Sequence, residues 1–212
     1  TPPIATLIYD AQVFHGFRLA RLGMLRVELG LDMKNAILML LVAAWPAAVS
    51  AEVRDSAANG FTVVNEVVVS AERAEAWAAA IDVAKWWSSD HTVSGDAGRL
   101  SIEAELQGCF CETLGKKAGV VHLVVTAVMP GTSLRMTGGL GPLGLMGVDG
   151  NMTWDFADAP EGTSIQMTYA VGGYMASGME RMAPAVDGVL ADALERLARY
   201  IETGDPEPAA LD

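Results

Sequence analysis

Cysteine and histidine residues provide the strongest chemical signal in this 212-residue chain. Cys109 and Cys111 are spaced i,i+2, so in a strand their side chains point to the same face. If residues 115–118 form a four-residue hairpin loop, Cys111 lies opposite His122, and two thiols and an imidazole share one face. These ligands suit zinc or cuprous copper, with His91 as a further candidate from the preceding loop. We nevertheless assign no metal and no cofactor, and keep Cys109, Cys111 and His122 only as candidates.

Two other interpretations of the cysteine pair stay open. Both thiols can be buried as small apolar side chains. A disulfide, within the chain or between chains, is the other alternative. Cβ atoms at i,i+2 of a regular strand lie farther apart than the roughly 3.8 Å that a disulfide needs, so a mutual bridge requires a bulge.

Titratable side chains elsewhere offer little catalytic chemistry. Glu103 and His122 are the best candidates for a general acid or base. Arg135 is a candidate anchor for a ligand carboxylate, because its guanidinium binds carboxylates through two hydrogen bonds. The sequence has neither a Gly-x-Ser-x-Gly nor a His-Glu-x-x-His motif, so we assign no catalytic residue.

The elements that must position these residues follow from the pattern of apolar residues. Residues 61–69 are rich in β-branched side chains and predict a first strand. Residues 70–81 predict a helix with Ser70 as its N-cap, and residues 82–98 a short second helix and a loop. Strands are then predicted at 99–106, 109–114, 120–129, 133–137, 152–157 and 163–171.

A long helix closes the chain. Pro184 suits its first turn and Gly204 suits the position just after its end. Between them, apolar residues recur at helical spacing on one face. Such a stripe requires a sheet to pack against, so the fold class is α+β.

Several short stretches carry a family resemblance. They are Glu75-Ala76-Trp77, Trp86-Trp87-Ser88-Ser89-Asp90-His91-Thr92, Gly108-Cys109-Phe110-Cys111-Glu112 and Gly172-Gly173-Tyr174. With the order of elements, they resemble bacterial members of the START-like (SRPBCC) superfamily, which includes polyketide cyclases. The resemblance implies a helix-grip fold: a curved antiparallel sheet of about seven strands around the C-terminal helix, with two short helices after the first strand.

That resemblance also implies a ligand cavity between the sheet and the long helix. Candidates for its ligand-binding residues are Trp86, Trp87, His91, Glu103, His122, Arg135, Trp154, Tyr169 and Tyr174. The glycine-rich segment 138–150 is expected to form a lid through Leu140, Leu143, Leu145 and Met146. An ordinary long loop packed at the sheet end is the alternative for this segment.

The N-terminal part suggests export. Residues 33–51 combine a lysine, a short apolar run and small residues before Glu52, which is typical of a cleaved signal peptide. We expect residues 1–32 to be a non-native upstream extension, 52–60 a linker, 61–204 the domain and 205–212 a disordered tail. An uncleaved anchor and a genuine N-terminal extension are the alternatives.

The formal net charge of −12 disfavours nucleic acid as a partner, because both surfaces are negative. We therefore predict a periplasmic or secreted protein that binds or carries a small hydrophobic molecule, without stable membrane insertion after signal cleavage. A cyclase or dehydratase that uses a cavity carboxylate or histidine is the alternative. An interaction module without a pocket is a third possibility.

Overall fold

Alternating apolar side chains give this chain long antiparallel strands. A computed structural model describes residues 49–208, and the expectations for residues 1–48 and 209–212 lie outside this range. Within it the strands are β1 (Ser50–Ala57), β2 (Gly60–Val69), β3 (Leu100–Ile102), β4 (Cys109–Gly115), β5 (Ala118–Met129), β6 (Ser133–Thr137), β7 (Gly147–Ala159) and β8 (Gly162–Tyr174). The helices are α1 (Arg73–Ile81) and α2 (Ala183–Thr203).

These strands form one antiparallel sheet in the order β1-β2-β8-β7-β6-β5-β4-β3. The pairing of β2 with β8 runs from Gly60 opposite Gly172 to Val69 opposite Thr163. The last strand therefore joins the N-terminal hairpin to the meander formed by β3 to β7. The predicted α+β class with a long C-terminal helix is confirmed, with eight strands among residues 49–208 instead of about seven.

One face of the sheet is buried against α2. Inward-facing positions of β2, β7 and β8 alternate with more exposed ones, as the two-residue period of a strand requires. On α2, the buried side chains recur three and four residues apart and form one apolar stripe. They include Leu190, Ala193, Leu194, Leu197 and Ala198. The core therefore lies between the inner face of the sheet and this stripe.

The ends of α2 match the sequence prediction. A proline occupies its first turn, where no backbone hydrogen bond is lost. Gly204 follows its last residue with φ of 79°, and its N–H donates to the carbonyl of Tyr200 at 2.8 Å. A side chain at this left-handed position would be strained, so glycine ends the helix here.

Three local predictions differ from the structure. Residues 52–60, expected as a linker, form most of β1 and its turn into β2. The N-cap of α1 is Glu72 and not Ser70, because Ser70 is held by Glu202 of α2 through its N–H and its hydroxyl. Residues 82–99 contain three single-turn 3₁₀ segments instead of a second α-helix, and the strand expected at 99–106 is only β3.

Candidate functional site

The space between the sheet and α2 was the expected cavity, and in this structure it is filled by side chains. Trp86, Trp154 and Tyr169 are completely buried there. Four methionines are equally buried: Met136, Met152, Met167 and Met179. Methionine is unbranched, has three rotatable side-chain bonds and adapts to irregular spaces. The interior is therefore closed, but part of its filling is the most deformable apolar side chain available.

A row of three neighbouring residues crosses the centre of this inner face. Met167 of β8 is paired with Asn65 of β2 on one side and with Trp154 of β7 on the other. Asn65 Nδ2 donates to Asp187 of α2 at 3.1 Å. Asn65 Oδ1 and Trp154 Nε1 are both buried without a hydrogen-bond partner in the described part of the chain. One free acceptor and one free donor thus flank a methionine.

Tyr169 holds the glycine-rich segment over one end of the interior. Its hydroxyl donates to the carbonyl of Gly138 at 2.7 Å and accepts the N–H of Leu140 at 2.9 Å. Burial raises the pKa of Tyr169 to about 12, so the hydroxyl stays protonated and can donate. Leu143, in the short 3₁₀ turn Gly141–Leu145, is only 2% exposed. One leucine of the segment therefore enters the core and one tyrosine fastens it.

Gly150 makes room for that tyrosine. A Cβ added at this position would lie 2.6 Å from Cε2 of the Tyr169 ring. The ring could not keep its place beside any residue larger than glycine. Gly150 is therefore part of the arrangement that fastens the segment.

A second buried polar cluster lies near the other end of the sheet. Glu112 of β4 is 1% exposed and His122 of β5 is 6% exposed, and Nε2 of the imidazole lies 3.0 Å from Oε2 of the carboxylate. Phe110 packs beside the imidazole with ring centroids 5.5 Å apart. Nδ1 of His122 is buried and unpartnered within residues 49–208. The carboxylate orients the imidazole, as second partners of catalytic and metal-binding histidines do.

Glu112 also anchors the loop that precedes β3. Its two oxygens accept the backbone N–H groups of Val93 and Ser94. Burial by itself raises the pKa of Glu112, but hydrogen bonds from Ser94, Val93 and His122 outweigh it and lower the pKa to about 2. The group is therefore a carboxylate at neutral pH, and one buried charge ties three segments together.

A bulge on β5 turns His122 inward. Phe110 is paired with Leu123 and Cys111 with Val121, so His122 is the extra residue between them. Both His122 and Leu123 are buried as a result. The expected alignment of Cys111 with His122 is wrong, because the hairpin turns at Gly115 paired with Ala118, and a one-residue change of register reverses the face.

Cys109 and Cys111 are joined by a disulfide. Both are partly exposed on the outer face of β4, whereas Phe110 and Glu112 point inward. The sulfur atoms are therefore bonded to each other and lie on the face opposite His122, so the structure does not assemble the candidate zinc or copper ligand set. Because the bridge closes a loop of three residues, its entropic stabilisation is only about 1.5 kcal/mol.

The remaining candidates from the sequence separate into buried and exposed sets. Trp87 is buried and Leu140 half-buried, and both pack on the core. The exposed candidates do not reach the interior in this structure: His91, Glu103, Arg135, Tyr174, Leu145 and Met146. The carbonyl of His91 accepts the indole N–H of Trp87 at 3.2 Å, and the backbone N–H of His91 donates to the carbonyl of Ser88. These exposed side chains lie on turns or on the solvent face of their strands.

Sequence reasoning did not select Asn65 or Glu112 as site residues. Both residues could have been recognised from the sequence, because each lies two residues along its strand from an apolar residue that points inward. Asn65 falls in register with Val63 and Val67, and Glu112 with Phe110. A polar residue at such a position must find a partner or remain unsatisfied at a cost.

The depressions found on the surface of the domain are shallow. Two surface depressions lie at opposite ends of β2, one beside Gly60 and Gly172 and one beside Ser70 and Gly162. Within residues 49–208, no three or more potential metal ligands cluster together. No helix of that same range is long and apolar enough to cross a membrane.

Comparison with known proteins places this arrangement among related folds. The family model described as "Polyketide cyclase / dehydrase and lipid transport" matches residues 60–202. A conserved protein of unknown function from Enterococcus faecalis is 17% identical, with a TM-score of 0.51 over 77% of this chain and 82% of that chain. At this identity, the likeness concerns the fold alone.

Two further solved structures are similar. DynU16, from the dynemicin biosynthetic locus, is 23% identical with a TM-score of 0.49, over 68% of this chain and 48% of that chain. CalU16 from Micromonospora echinospora is 16% identical with a TM-score of 0.45, over 74% and 86% of the two chains. None of the curated proteins matches the sequence.

Proposed function

Because the chain belongs to the polyketide cyclase/dehydrase and lipid transport family, we propose that it binds a small, largely apolar molecule between the sheet and α2. The two polar atoms on either side of Met167 that have no partner within residues 49–208 carry this proposal. A buried polar atom without a partner costs about 1–3 kcal/mol, and two occur within one cross-strand row. A ligand that accepts one hydrogen bond and donates another recovers that cost.

Entry of the ligand requires side chains to move. Met167 lies between the two unpartnered atoms, and Met136 and Met152 belong to the same buried face. Rotation about the bonds of a thioether side chain opens space at a lower cost than displacement of a branched or aromatic one. We therefore expect these methionines to change conformation when a ligand enters.

The segment 138–146 provides the opening. Several glycines give its backbone conformational freedom, and Gly138 and Gly141 adopt positive φ angles of 144° and 58°. Leu143 is its single deeply buried side chain, while Leu145 is 92% exposed. Withdrawal of Leu143 and breakage of the two Tyr169 hydrogen bonds free this end of the interior.

The two polar atoms support an inference about the ligand class. Asn65 Nδ2 already donates to the Asp187 carboxylate, so its free atom is an acceptor. Trp154 Nε1 can only donate. The expected ligand is a compact apolar molecule with a hydroxyl or amide donor and a carbonyl-type acceptor. Neither free atom comes from a cationic side chain, so a carboxylate or phosphate is not the expected head group.

Mass spectrometry tests the proposal directly. The full chain is purified without detergent and weighed under native and then denaturing conditions. An excess mass of a few hundred daltons that disappears on denaturation identifies the ligand. A bare native mass, together with no uptake of the apolar fluorophore N-phenyl-1-naphthylamine, would rule out the binding proposal.

A matched pair of variants examines the route. Met167→Leu removes one rotatable bond from the filling, and Met129→Leu makes the same change at a half-exposed position at the end of β5. We expect Met167→Leu to slow uptake of N-phenyl-1-naphthylamine and Met129→Leu to leave it unchanged. Equal rates for both variants and the original protein would show that the interior methionines do not gate entry.

Export is a separate proposal. The pattern of residues 33–51 supports it, and so does the Cys109–Cys111 disulfide, because such bonds persist mainly in oxidising compartments. Cleavage before Glu52 would leave Glu52–Ala57 of β1, including Glu52 opposite Val64. N-terminal sequencing of protein from the periplasm or medium should begin at Glu52. Protein retained entirely in the cytoplasm with residues 1–51 intact would refute export.

A second candidate function comes from the Glu112–His122 pair. An imidazole held by a carboxylate, with its other nitrogen unpartnered in the described chain, resembles a general base awaiting a substrate proton. Proton abstraction from 5-nitrobenzisoxazole provides a test with His122→Gln as the variant and His91→Gln as the exposed control. Only a loss specific to His122→Gln would support an enzyme.

A further inference from the structure

We propose that the Cys109–Cys111 disulfide is a thiol–disulfide exchange site, which a dithiol reduces and which controls the Glu112–His122 contact on the other face of β4. The inference starts from access. Both cysteines are partly exposed, and their neighbours on the outer face are exposed as well. Val121, opposite Cys111, is 60% exposed, and Val124, opposite Cys109, is 37% exposed. A thiolate can therefore approach the sulfur atoms from solvent.

The bridge is poorly suited to a purely structural role. It joins residues only two positions apart and so restricts the unfolded chain little. It links no two elements of the fold, because both cysteines belong to β4. Exposed bridges are typically the labile ones in proteins, whereas buried structural bridges resist reduction.

The bridge also shortens β4. Its two Cα atoms are 5.3 Å apart, whereas positions i and i+2 of an extended strand are separated by about 6.6 Å. A bulge sets two residues of one strand against one residue of its neighbour, so the bulged strand is locally the longer of the two. The neighbour β5 has its extra residue directly opposite, where Val121 and His122 together face Cys111. Both features make β4 shorter than β5 at the same place, so the contraction and the bulge fit each other.

This geometric match links the sulfur chemistry to the buried pair. The bulge is what turns His122 to the inner face, where it meets Glu112. When the bridge opens, β4 can extend and regular pairing with β5 becomes possible, which favours the opposite face for His122. Glu112 then loses a partner, and its hold on the N–H groups of Val93 and Ser94 weakens.

The exchange step balances with a dithiol as the reductant. One thiolate of the dithiol attacks one sulfur of the bridge, forming a mixed disulfide and releasing the other cysteine as a thiolate. The second thiol of the dithiol loses its proton and attacks the other sulfur of the dithiol in the mixed disulfide. This step releases the first cysteine as a thiolate. The two protons reach the two cysteines, which gain two electrons, and the dithiol becomes a disulfide.

Amide hydrogen exchange of the folded full chain tests the coupling, with dithiothreitol as the dithiol. Alkylation followed by mass spectrometry counts the thiols, and NMR follows the amides of Val93 and Ser94. We expect both cysteines to become alkylated while the circular dichroism spectrum is retained. Exchange at Val93 and Ser94 should accelerate by about tenfold or more, because their acceptor is no longer held in place. The amides of Trp154 and Gln166 serve as controls and should not change.

The double variant Cys109→Ser/Cys111→Ser should show the accelerated exchange without dithiothreitol and no response to it. If this variant does not fold, the comparison of the original protein with and without dithiothreitol decides alone. A bridge that resists dithiothreitol in the folded protein would overturn the proposal. Reduction that leaves exchange at Val93 and Ser94 unchanged would overturn it equally.

Discussion

The two ends of the sheet are built differently. From β2 through β8 to β7, every residue pairs in sequence without a shift in register, although the edge pair β1–β2 shifts once, between Val53 and Asp55. From β4 through β5 to β6, the pairing shifts at three places, next to Phe110, Thr113 and Val125. The regular end buries α2 and apolar side chains, whereas the irregular end holds the buried carboxylate, the imidazole and the disulfide.

This difference separates two kinds of polar burial. At the irregular end, the charge of Glu112 is satisfied by three donors, one of which the bulge brings into place, while Nδ1 of His122 has no partner within residues 49–208. At the regular end, Asn65 and Trp154 each have one side-chain atom without a partner in the described part of the chain, although β2, β8 and β7 pair there without a shift in register. The hydrogen-bonded carboxylate of Glu112 therefore holds strands and loop together, whereas the free atoms of Asn65 and Trp154 can bind a ligand.

The largest expected effect is on the regular end. Trp154→Ala removes a completely buried indole between Met167 and Trp86, and should lower the free energy of unfolding by about 3–5 kcal/mol. Urea denaturation measures it. Val121→Ala on the exposed outer face is the control and should change stability by no more than about 0.5 kcal/mol. A loss below about 1 kcal/mol for Trp154→Ala would mean that this end is not the packed core.

The second effect belongs to the irregular end and depends on pH. Folding lowers the pKa of Glu112 from 4.5 to about 2, so its stabilisation is complete above pH 4.5 and disappears as the pH falls towards 2. The expected loss is about 3 kcal/mol. Glu112→Gln should flatten this part of the stability profile, whereas Glu103→Gln at an exposed position should retain it. Identical profiles for both variants would contradict the assignment.

A smaller effect is expected where the glycine-rich segment meets the regular end. Tyr169→Phe leaves the Gly138 carbonyl and the Leu140 N–H without their partner, which should cost about 1–3 kcal/mol. Hydrogen exchange in segment 138–146 should accelerate, and N-phenyl-1-naphthylamine should enter faster. Tyr174→Phe, at a residue that is 77% exposed, is the control. Slower entry in Tyr169→Phe would show that this segment is not the opening.

The smallest effect on stability sharpens the contrast. Asn65→Leu removes both the bond to Asp187 and the unsatisfied oxygen, so the change in unfolding free energy should stay within about 1 kcal/mol. The same variant should no longer retain a ligand that donates to Asn65, as native mass spectrometry would reveal. A loss of stability above about 3 kcal/mol would make Asn65 a structural residue like Glu112.

The regular end was largely predictable from the sequence. Period-two apolar patterns located β2, β7 and β8, and Pro184 with Gly204 bounded α2. These features are local, because the spacing of apolar residues within one strand or helix is enough to show which of its faces is buried. β1 was not predicted, since it is an edge strand with mostly exposed side chains and no alternation of burial.

At the irregular end the strands themselves were predicted, at 109–114, 120–129 and 133–137, but their register was not, because it depends on pairing between strands. Nothing near His122 in the sequence indicates that it is an extra residue opposite Cys111. The bulge arises from how the length of β4 matches that of β5. A four-residue loop placed His122 beside the thiols, whereas the observed two-residue turn and bulge place it beside Glu112.

The pairing of β2 with β8 has a consequence for the timing of folding. β2 ends at Val69 and its partner β8 begins at Gly162, so almost the whole domain separates the two edges that must meet. During synthesis the β1–β2 hairpin can form early. The edge of β2 that pairs with β8 stays unpaired until synthesis is nearly complete. Contacts of such long range form slowly. A growing chain of this topology therefore cannot complete its sheet until its last strand is made, so the domain becomes resistant to proteolysis only late in synthesis.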